Sequence, residues 1–268
     1  MRIAWLALLA ACGTTDGIAL RFTPDPGAVG SELYECFAFS IDRLDGADIG
    51  GVALVAAESP VTLHHVSLYG SQTATNGPCL VMPTDAVPMH VWAPGGGDLE
   101  LSPDIALAVP PNATHLIVQT HGLRTDEGMV EREIIVTPRR EAAHRAGWLP
   151  LQAPTPALRP HYIEESTATC SIARELHLIS TWPHMHRYGT EFHGRVVDGA
   201  PIVDVVPYVF DAQHAYPIDI AVAAGAAIET HCIWQNTTDQ TVLPGPSIND
   251  EMCGQSMIAY PIEAAHCL

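Results

Sequence analysis

Turn residues interrupt this chain so often that long helices have little room. It carries 21 glycines and 22 prolines, and short runs rich in β-branched and aromatic residues lie between them. Tyr34–Ile41 (YECFAFSI), His64–Gly70 (HHVSLYG), His115–His121 (HLIVQTH), Arg132–Pro138 (REIIVTP), Glu175–Thr181 (ELHLIST), Ile202–Phe210 (IVDVVPYVF) and Met257–Ile262 (MIAYPI) are examples. Runs of that length, bounded by turn residues, predict an all-β chain folded as antiparallel sandwiches or barrels. Pro138–Trp148 (PRREAAHRAGW) is the best candidate for a short helix. Leu149–Pro160 (LPLQAPTPALRP) is proline-rich and reads as a linker. At 268 residues the chain exceeds what one small core needs. It divides near residue 156 into two β domains, 31–156 and 157–268.

Residues 1–12 read MRIAWLALLAAC. One Arg followed by a short apolar run resembles a secretory leader, and the run is too short to span a bilayer. Leu9–Cys12 (LAAC) looks like a bacterial lipobox, with Cys12 as the lipidated first residue of the mature protein. An ordinary export signal cut nearby is the alternative. Residues 13–30 read as a flexible tether. The expected location is the bacterial cell envelope, on the periplasmic or outer-membrane face, with a lipid anchor as the sole membrane contact. Beyond Cys12 the chain has Cys36, Cys79, Cys170, Cys232, Cys253 and Cys267, an even set that suggests disulfides in an exported protein. No CxxC pair is present, which argues against thiolate–zinc sites. Acidic residues outnumber basic ones 30 to 12, for a formal charge of −18. That balance argues against nucleic acid and anionic lipid as partners. A small molecule and a monomeric chain remain the expectation.

The fourteen histidines are the main source of chemistry. His184 and His186 stand two apart in Ser180–Gly189 (STWPHMHRYG), and alternate side chains of a strand share a face. Both rings can therefore converge on one ion. His64 and His65 are neighbours, which point to opposite faces of a regular strand. They can share an ion at a bend, or by using different ring nitrogens. His121 ends another strand. Met252 adds a thioether, a soft neutral ligand that binds Cu(I) well and zinc poorly. Two imidazoles with a thioether could hold reduced copper and leave a position for O2. Taken singly, each of these residues is as readily a surface or core side chain.

The order H-H, Q-x-H, H-x-H and E-M-C resembles the copper type II, ascorbate-dependent monooxygenase family. The matching stretches are His64–Gly70, Val91–His121, His184–Gly189 (HMHRYG), Cys232–Thr238 (CIWQNTT) and Asn249–Pro261 (NDEMCGQSMIAYP), within residues 32–268. The resemblance implies two jelly-roll-like antiparallel β-sandwich domains, one copper on each, facing across a solvent-filled cleft. His64, His65 and His121 would hold one copper ion. His184, His186 and Met252 would hold the other and form the catalytic centre. Gln119 matches a position near the first copper and is expected only behind its ligands. The family's disulfide pattern implies Cys36–Cys79, Cys170–Cys267 and Cys232–Cys253; a further family bridge is missing because Ser71 stands where a Cys is expected. The implied activity is hydroxylation of a C–H bond with O2, using ascorbate or another one-electron donor. One oxygen atom enters the substrate and the other leaves as water. Peptide-amidating relatives hold a substrate carboxylate with an Arg, an Asn and a Tyr, where this chain has Trp182, Gly254 and Ser256. Without a charged fork, carboxylate recognition is disfavoured, and a small neutral substrate is expected.

Two rival readings remain at this stage. Glu191, five residues after His186, with His231 further on, also fits a mononuclear cupin site built from His184, His186, Glu191 and His231. That reading leaves Met252 and the H-H pair without a role. A non-catalytic copper-binding lipoprotein of the envelope would use the same histidines and Met252 without consuming O2. Gly95–Gly97 has no phosphate-loop context and reads as a turn.

Overall fold

A computed structural model describes residues 17–24, 28–55, 61–124, 131–264 and 266–267. The lipobox Cys12 and the leader lie outside the described residues. The strands, in chain order, are β1 (Ile18–Phe22), β2 (Glu32–Ser40), β3 (Asp48–Val55), β4 (Val61–Ser71), β5 (Gly77–Pro78), β6 (Val87–Trp92), β7 (Leu99–Glu100), β8 (Ile105–Leu107) and β9 (His115–Arg124). They continue as β10 (Arg132–Arg139), β11 (His144–Gln152), β12 (Ile163–Ser171), β13 (Leu176–Met185), β14 (Gly189–Val196), β15 (Pro201–Val205), β16 (Tyr216–Val222), β17 (Ala227–Gln235) and β18 (Cys253–Tyr260). Only two short 3-10 turns, Ile41–Leu44 and Ile262–Ala264, join them among the described residues. The protein is thus an all-β sandwich.

One large sheet runs through the whole molecule in the order β1-β10-β3-β8-β11-β18-β13-β16, with β7 beside β3. A five-stranded sheet, β5-β2-β9-β4-β6, covers its N-terminal part, and a four-stranded sheet, β12-β17-β14-β15, covers its C-terminal part. Strand β11 belongs to both halves. Its first residues, His144–Ala146, pair in parallel with β8, and Gly147–Gln152 pair antiparallel with β18.

Two apolar cores result. Leu20, Phe22, Leu68, Leu116, Val118, Ile134, Val136 and Ala146 fill the N-terminal one. Leu149, Leu151, Leu158, Leu178, Met185, Phe192, Trp234 and Met257 fill the other. Their period-2 origin is plain in β17, where Ile228, Thr230, Cys232 and Trp234 are buried and the residues between them are not. Each fully buried Leu stabilises the fold by about 1.5–3 kcal/mol. The three disulfides form as the family pattern implies, Cys36–Cys79, Cys170–Cys267 and Cys232–Cys253.

Three local expectations are corrected. Pro138–Trp148 is not a helix but the end of β10, a turn and the start of β11. Helix-forming Glu141, Ala142 and Ala143 occupy only the turn. The guanidinium of Arg139 meanwhile binds the carbonyl oxygens of Leu101, Ser102 and Ile105, so tertiary contacts override local propensity. Leu149–Pro160 is not a loose linker, because Leu149, Leu151 and Ala153 alternate inward and are buried, and Leu158 is buried at a bridge to Val242. The tether is partly structured: Ile18–Phe22 pairs with β10, and its Leu20 and Phe22 enter the core.

Candidate metal centre

Strand β4 carries a bulge between Leu63 and His65 where it pairs with β9. A bulge re-aims a side chain that regular pleating would send to the far face. It does so for His64, whose ring centroid lies 5.3 Å from that of His121, while the His65 ring lies 4.8 Å from it. The neighbouring pair therefore shares one side of the sheet, at a bend. His121 is buried on β9, and its Nδ1 is 3.3 Å from Nδ1 of His65. Its other nitrogen, Nε2, is 2.5 Å from Oε1 of Glu32. The carboxylate can only accept there, so Nε2 carries the proton and the Nδ1 lone pair faces His65. Tyr34 stacks on the His121 ring at 3.9 Å. Nε2 of His64 is buried without any hydrogen-bond partner.

Strand β13 delivers the second group. His184 and His186 lie on one side, ring centroids 5.1 Å apart. Nε2 of His184 is 3.1 Å from Sδ of Met252. Nδ1–H of His184 donates to Oε1 of Gln213 at 2.7 Å. Nδ1–H of His186 donates to the carbonyl of Asp250 at 3.0 Å. Both bonds fix the tautomer that leaves Nε2 unprotonated. Buried Glu251 organises the backbone around this group: its carboxylate accepts N–H from His186 at 3.0 Å, Tyr188 at 2.6 Å and Met252 at 3.3 Å, and the Trp234 indole at 3.0 Å. Burial nevertheless pushes the Glu251 carboxyl up to about 7, against those hydrogen bonds. The Cys232–Cys253 bridge anchors the residue next to Met252.

Burial is the leading cause that lowers the basicity of all five histidines. It brings His184 to about 3 and His121 to about 4, and holds His64, His65 and His186 below the ordinary value. At neutral pH every ring is uncharged, which is the form that binds a metal. Glu32 takes the opposite direction. Burial would raise it, but hydrogen bonds from Ile248, Ser247 and His121 outweigh burial and keep it ionised below the usual carboxylate range.

The two groups are close neighbours. Phe210 lies between them, its ring centroid 5.9 Å from that of His64 and 5.8 Å from that of His186. The open cleft implied by the resemblance is bridged here, because the β15–β16 loop folds across it. Gln213 on that loop donates its N–H to the carbonyl of Pro94. Gly95, in a turn at φ +88°, permits the approach: a Cβ there would come within 2.9 Å of the Ala212 backbone. The Gly95–Gly97 turn thus serves packing.

Gln119 sits opposite Cys36 on the strand pair that carries His121. It donates to the Cys79 carbonyl and accepts from the Tyr69 hydroxyl, so it braces the disulfide. Trp182 stacks on His184 at 4.7 Å, opposite Ser256, while Gly254 lies opposite His184. A cavity of about 290 Å3 opens beside Met252, lined also by Gln152, Ala153, Thr155, Pro244 and Pro246, with no cationic side chain. At Ser71, where the resemblance expects a cysteine, the hydroxyl donates to Asp85, which also receives Gln72 and Thr73. Glu191 and His231 lie elsewhere: Glu191 contacts His193, and His231 contacts Glu165. Among the described residues no group of three or more His, Cys, Asp or Glu side chains, His64, His65 and His121 included, is drawn together tightly enough to hold a metal ion. Glu32, Tyr34, Phe210, Gln213 and the role of Glu251 escaped sequence reasoning. Only Glu251 had a visible signal, its place in the E-M-C motif.

Residues 145–268 match the family model described as copper type II ascorbate-dependent monooxygenase, C-terminal domain. The match covers less than half of the chain and includes His184, His186 and Met252, the C-terminal motifs that carry the resemblance. Among solved structures, the major capsid protein P2 from bacteriophage PM2 is similar over 90% of this chain and 96% of that chain. It has 9% sequence identity and a TM-score of 0.37, too loose a likeness to carry an argument.

Proposed function

With that family match as premise, we propose that the chain is a copper-dependent monooxygenase that hydroxylates a C–H bond of a small neutral molecule. O2 and a one-electron donor such as ascorbate would be its co-substrates. The observation that carries this reading is the approach of the Met252 sulfur to Nε2 of His184, with His186 alongside. A neutral thioether with two neutral imidazoles is a donor set that suits reduced copper. His64, His65 and His121 would hold a second copper, and the buried, unpartnered Nε2 of His64 fits a ligand role. Copper, when bound, supplies the one-electron redox chemistry that O2 activation requires.

The protein's contribution is geometry. Gln213 and the Asp250 carbonyl each hold a proton on Nδ1 of their histidine, and Glu32 holds one on Nε2 of His121. Phe210 sets its ring against one histidine of each group. The two cores support reading the chain as two β domains, one for each site. The cavity beside Met252 lacks any cation to bind a carboxylate, which supports a neutral substrate; Trp182, Gly254 and Ser256 lie outside its lining, on the strand pair that carries His184. Three disulfides suit an oxidising compartment and agree with an exported lipoprotein anchored at Cys12.

The test is copper content, electron paramagnetic resonance and O2 uptake with ascorbate, on wild type and Met252→Ala. Two type II coppers per chain are expected, with the variant keeping the three-imidazole signal and losing hydroxylation. One iron or manganese per chain would favour a cupin. Copper binding without O2 uptake under any reductant would favour sequestration. Efficient turnover of glycine-extended peptides over neutral aromatics would overturn the substrate class.

A further inference from the structure

We infer that Glu32 is a positioning residue shared by both metal sites: one carboxylate orients the ring of His121 and ties down the loop that delivers Met252. This inference rests on the copper reading above. Glu32 opens β2, two residues before Tyr34, which pairs directly with His121 on β9. Its Oε1 receives His121 Nε2–H at 2.5 Å and the Ile248 N–H at 3.1 Å. Its Oε2 receives the Ser247 hydroxyl at 2.9 Å. Tyr34 reinforces the same contact, because its hydroxyl donates to the Pro246 carbonyl at 2.8 Å.

The stretch held in this way, Pro246–Ile248, leads straight into Asp250, Glu251 and Met252. Asp250 orients His186, Glu251 collects the surrounding N–H groups, and Met252 is the sulfur ligand. The loop is therefore pinned from the N-terminal half at one end and by the C-terminal histidines at the other. A carboxylate on the non-ligating nitrogen of a histidine sets its tautomer and raises its donor strength, and loss of such a partner costs about 10–100-fold in metal affinity. Glu32 does this for His121 and, through Ser247 and Ile248, fixes the path to Met252.

The experiment uses the full chain as wild type, Glu32→Ala, Glu32→Gln and Ser247→Ala. Imidazole 15N NMR reads the His121 tautomer in the metal-free protein, and amide exchange reads the Ile248 N–H. Titration with Cu(I) against a chelator reads both sites. Wild type is expected to show the Nε2–H tautomer and a protected Ile248 amide. Glu32→Ala should lose both and weaken Cu(I) at both sites by about 10–100-fold. Glu32→Gln, which keeps an acceptor oxygen, should recover much of the tautomer bias. Ser247→Ala should weaken the Met252 site alone. An unchanged tautomer, or weakening confined to the His121 site in Glu32→Ala, overturns the inference. Should Glu32→Ala not fold, a Ser247→Ala variant with unchanged Ile248 exchange and unchanged Cu(I) affinity at the Met252 site also overturns it. Should wild type bind no copper, the functional reading fails, while the tautomer and Ile248 exchange still decide whether Glu32 holds both elements.

Discussion

Two disulfides of the C-terminal half offer a direct test of whether a covalent bond serves stability or the metal site. Cys232–Cys253 closes a sequence separation of 21 residues, and Cys170–Cys267 one of 97. Loop-closure entropy assigns about 3 kcal/mol to the first and nearly 5 kcal/mol, roughly, to the second. Position reverses the order of importance for copper. Cys253 adjoins Met252 and pairs with Met185 on β13, beside His184, whereas Cys267 bridges to the far end of β12. The paired substitutions Cys232→Ala with Cys253→Ala, and Cys170→Ala with Cys267→Ala, separate the two effects. Urea denaturation should show the larger loss of stability for the Cys170–Cys267 pair. Cu(I) affinity at the Met252 site should fall for the Cys232–Cys253 pair alone, with the three-histidine site unaffected in both. Equal Cu(I) affinity in the two variants would refute the idea that the short bridge positions the thioether.

Other expectations follow from single residues. Leu149→Ala removes a fully buried side chain and should cost about 2–5 kcal/mol in chemical denaturation; a cost below about 0.5 kcal/mol would restore the linker reading. Hydrogen bonds, that from Ser71 first, hold Asp85 down to about 2, below its unfolded value. Its contribution to stability is therefore present above the ordinary carboxylate range and is lost as pH falls through about 2. Asp85→Asn should lower the melting temperature at pH 7 and converge with wild type in strong acid. Gln213→Ala frees Nδ1 of His184 and should weaken Cu(I) at the Met252 site about 10–100-fold, read by chelator competition; unchanged affinity would show that packing alone orients the ring.

What could be read in the sequence was what a strand's period dictates. His184 and His186 share a face because alternate residues do. The inward rows of β17 and the all-β class follow from the same rule. The H-H pair was ambiguous because a bulge, which no propensity announces, decides where His64 points. The supports lay further out of reach. Glu32 meets His121 across 89 residues and Ile248 across 216, and such meetings are set by sheet order rather than local pattern. Phe210 and Gln213 lie on a loop whose course depends on the Gly95 turn in the other half. Pro138–Trp148 misled for the converse reason: its local preference was readable but outweighed by strand pairing.

Strand β11 changes partners midway, from β8 to β18, so the passage between the halves is itself part of a ladder. A swinging joint would need free backbone there, and every step from His144 to Gln152 is instead bonded to one side or the other. The separation of the two histidine groups is thus set by the stiffness of a sheet. Any change in the distance between them has to bend that ladder rather than turn a hinge.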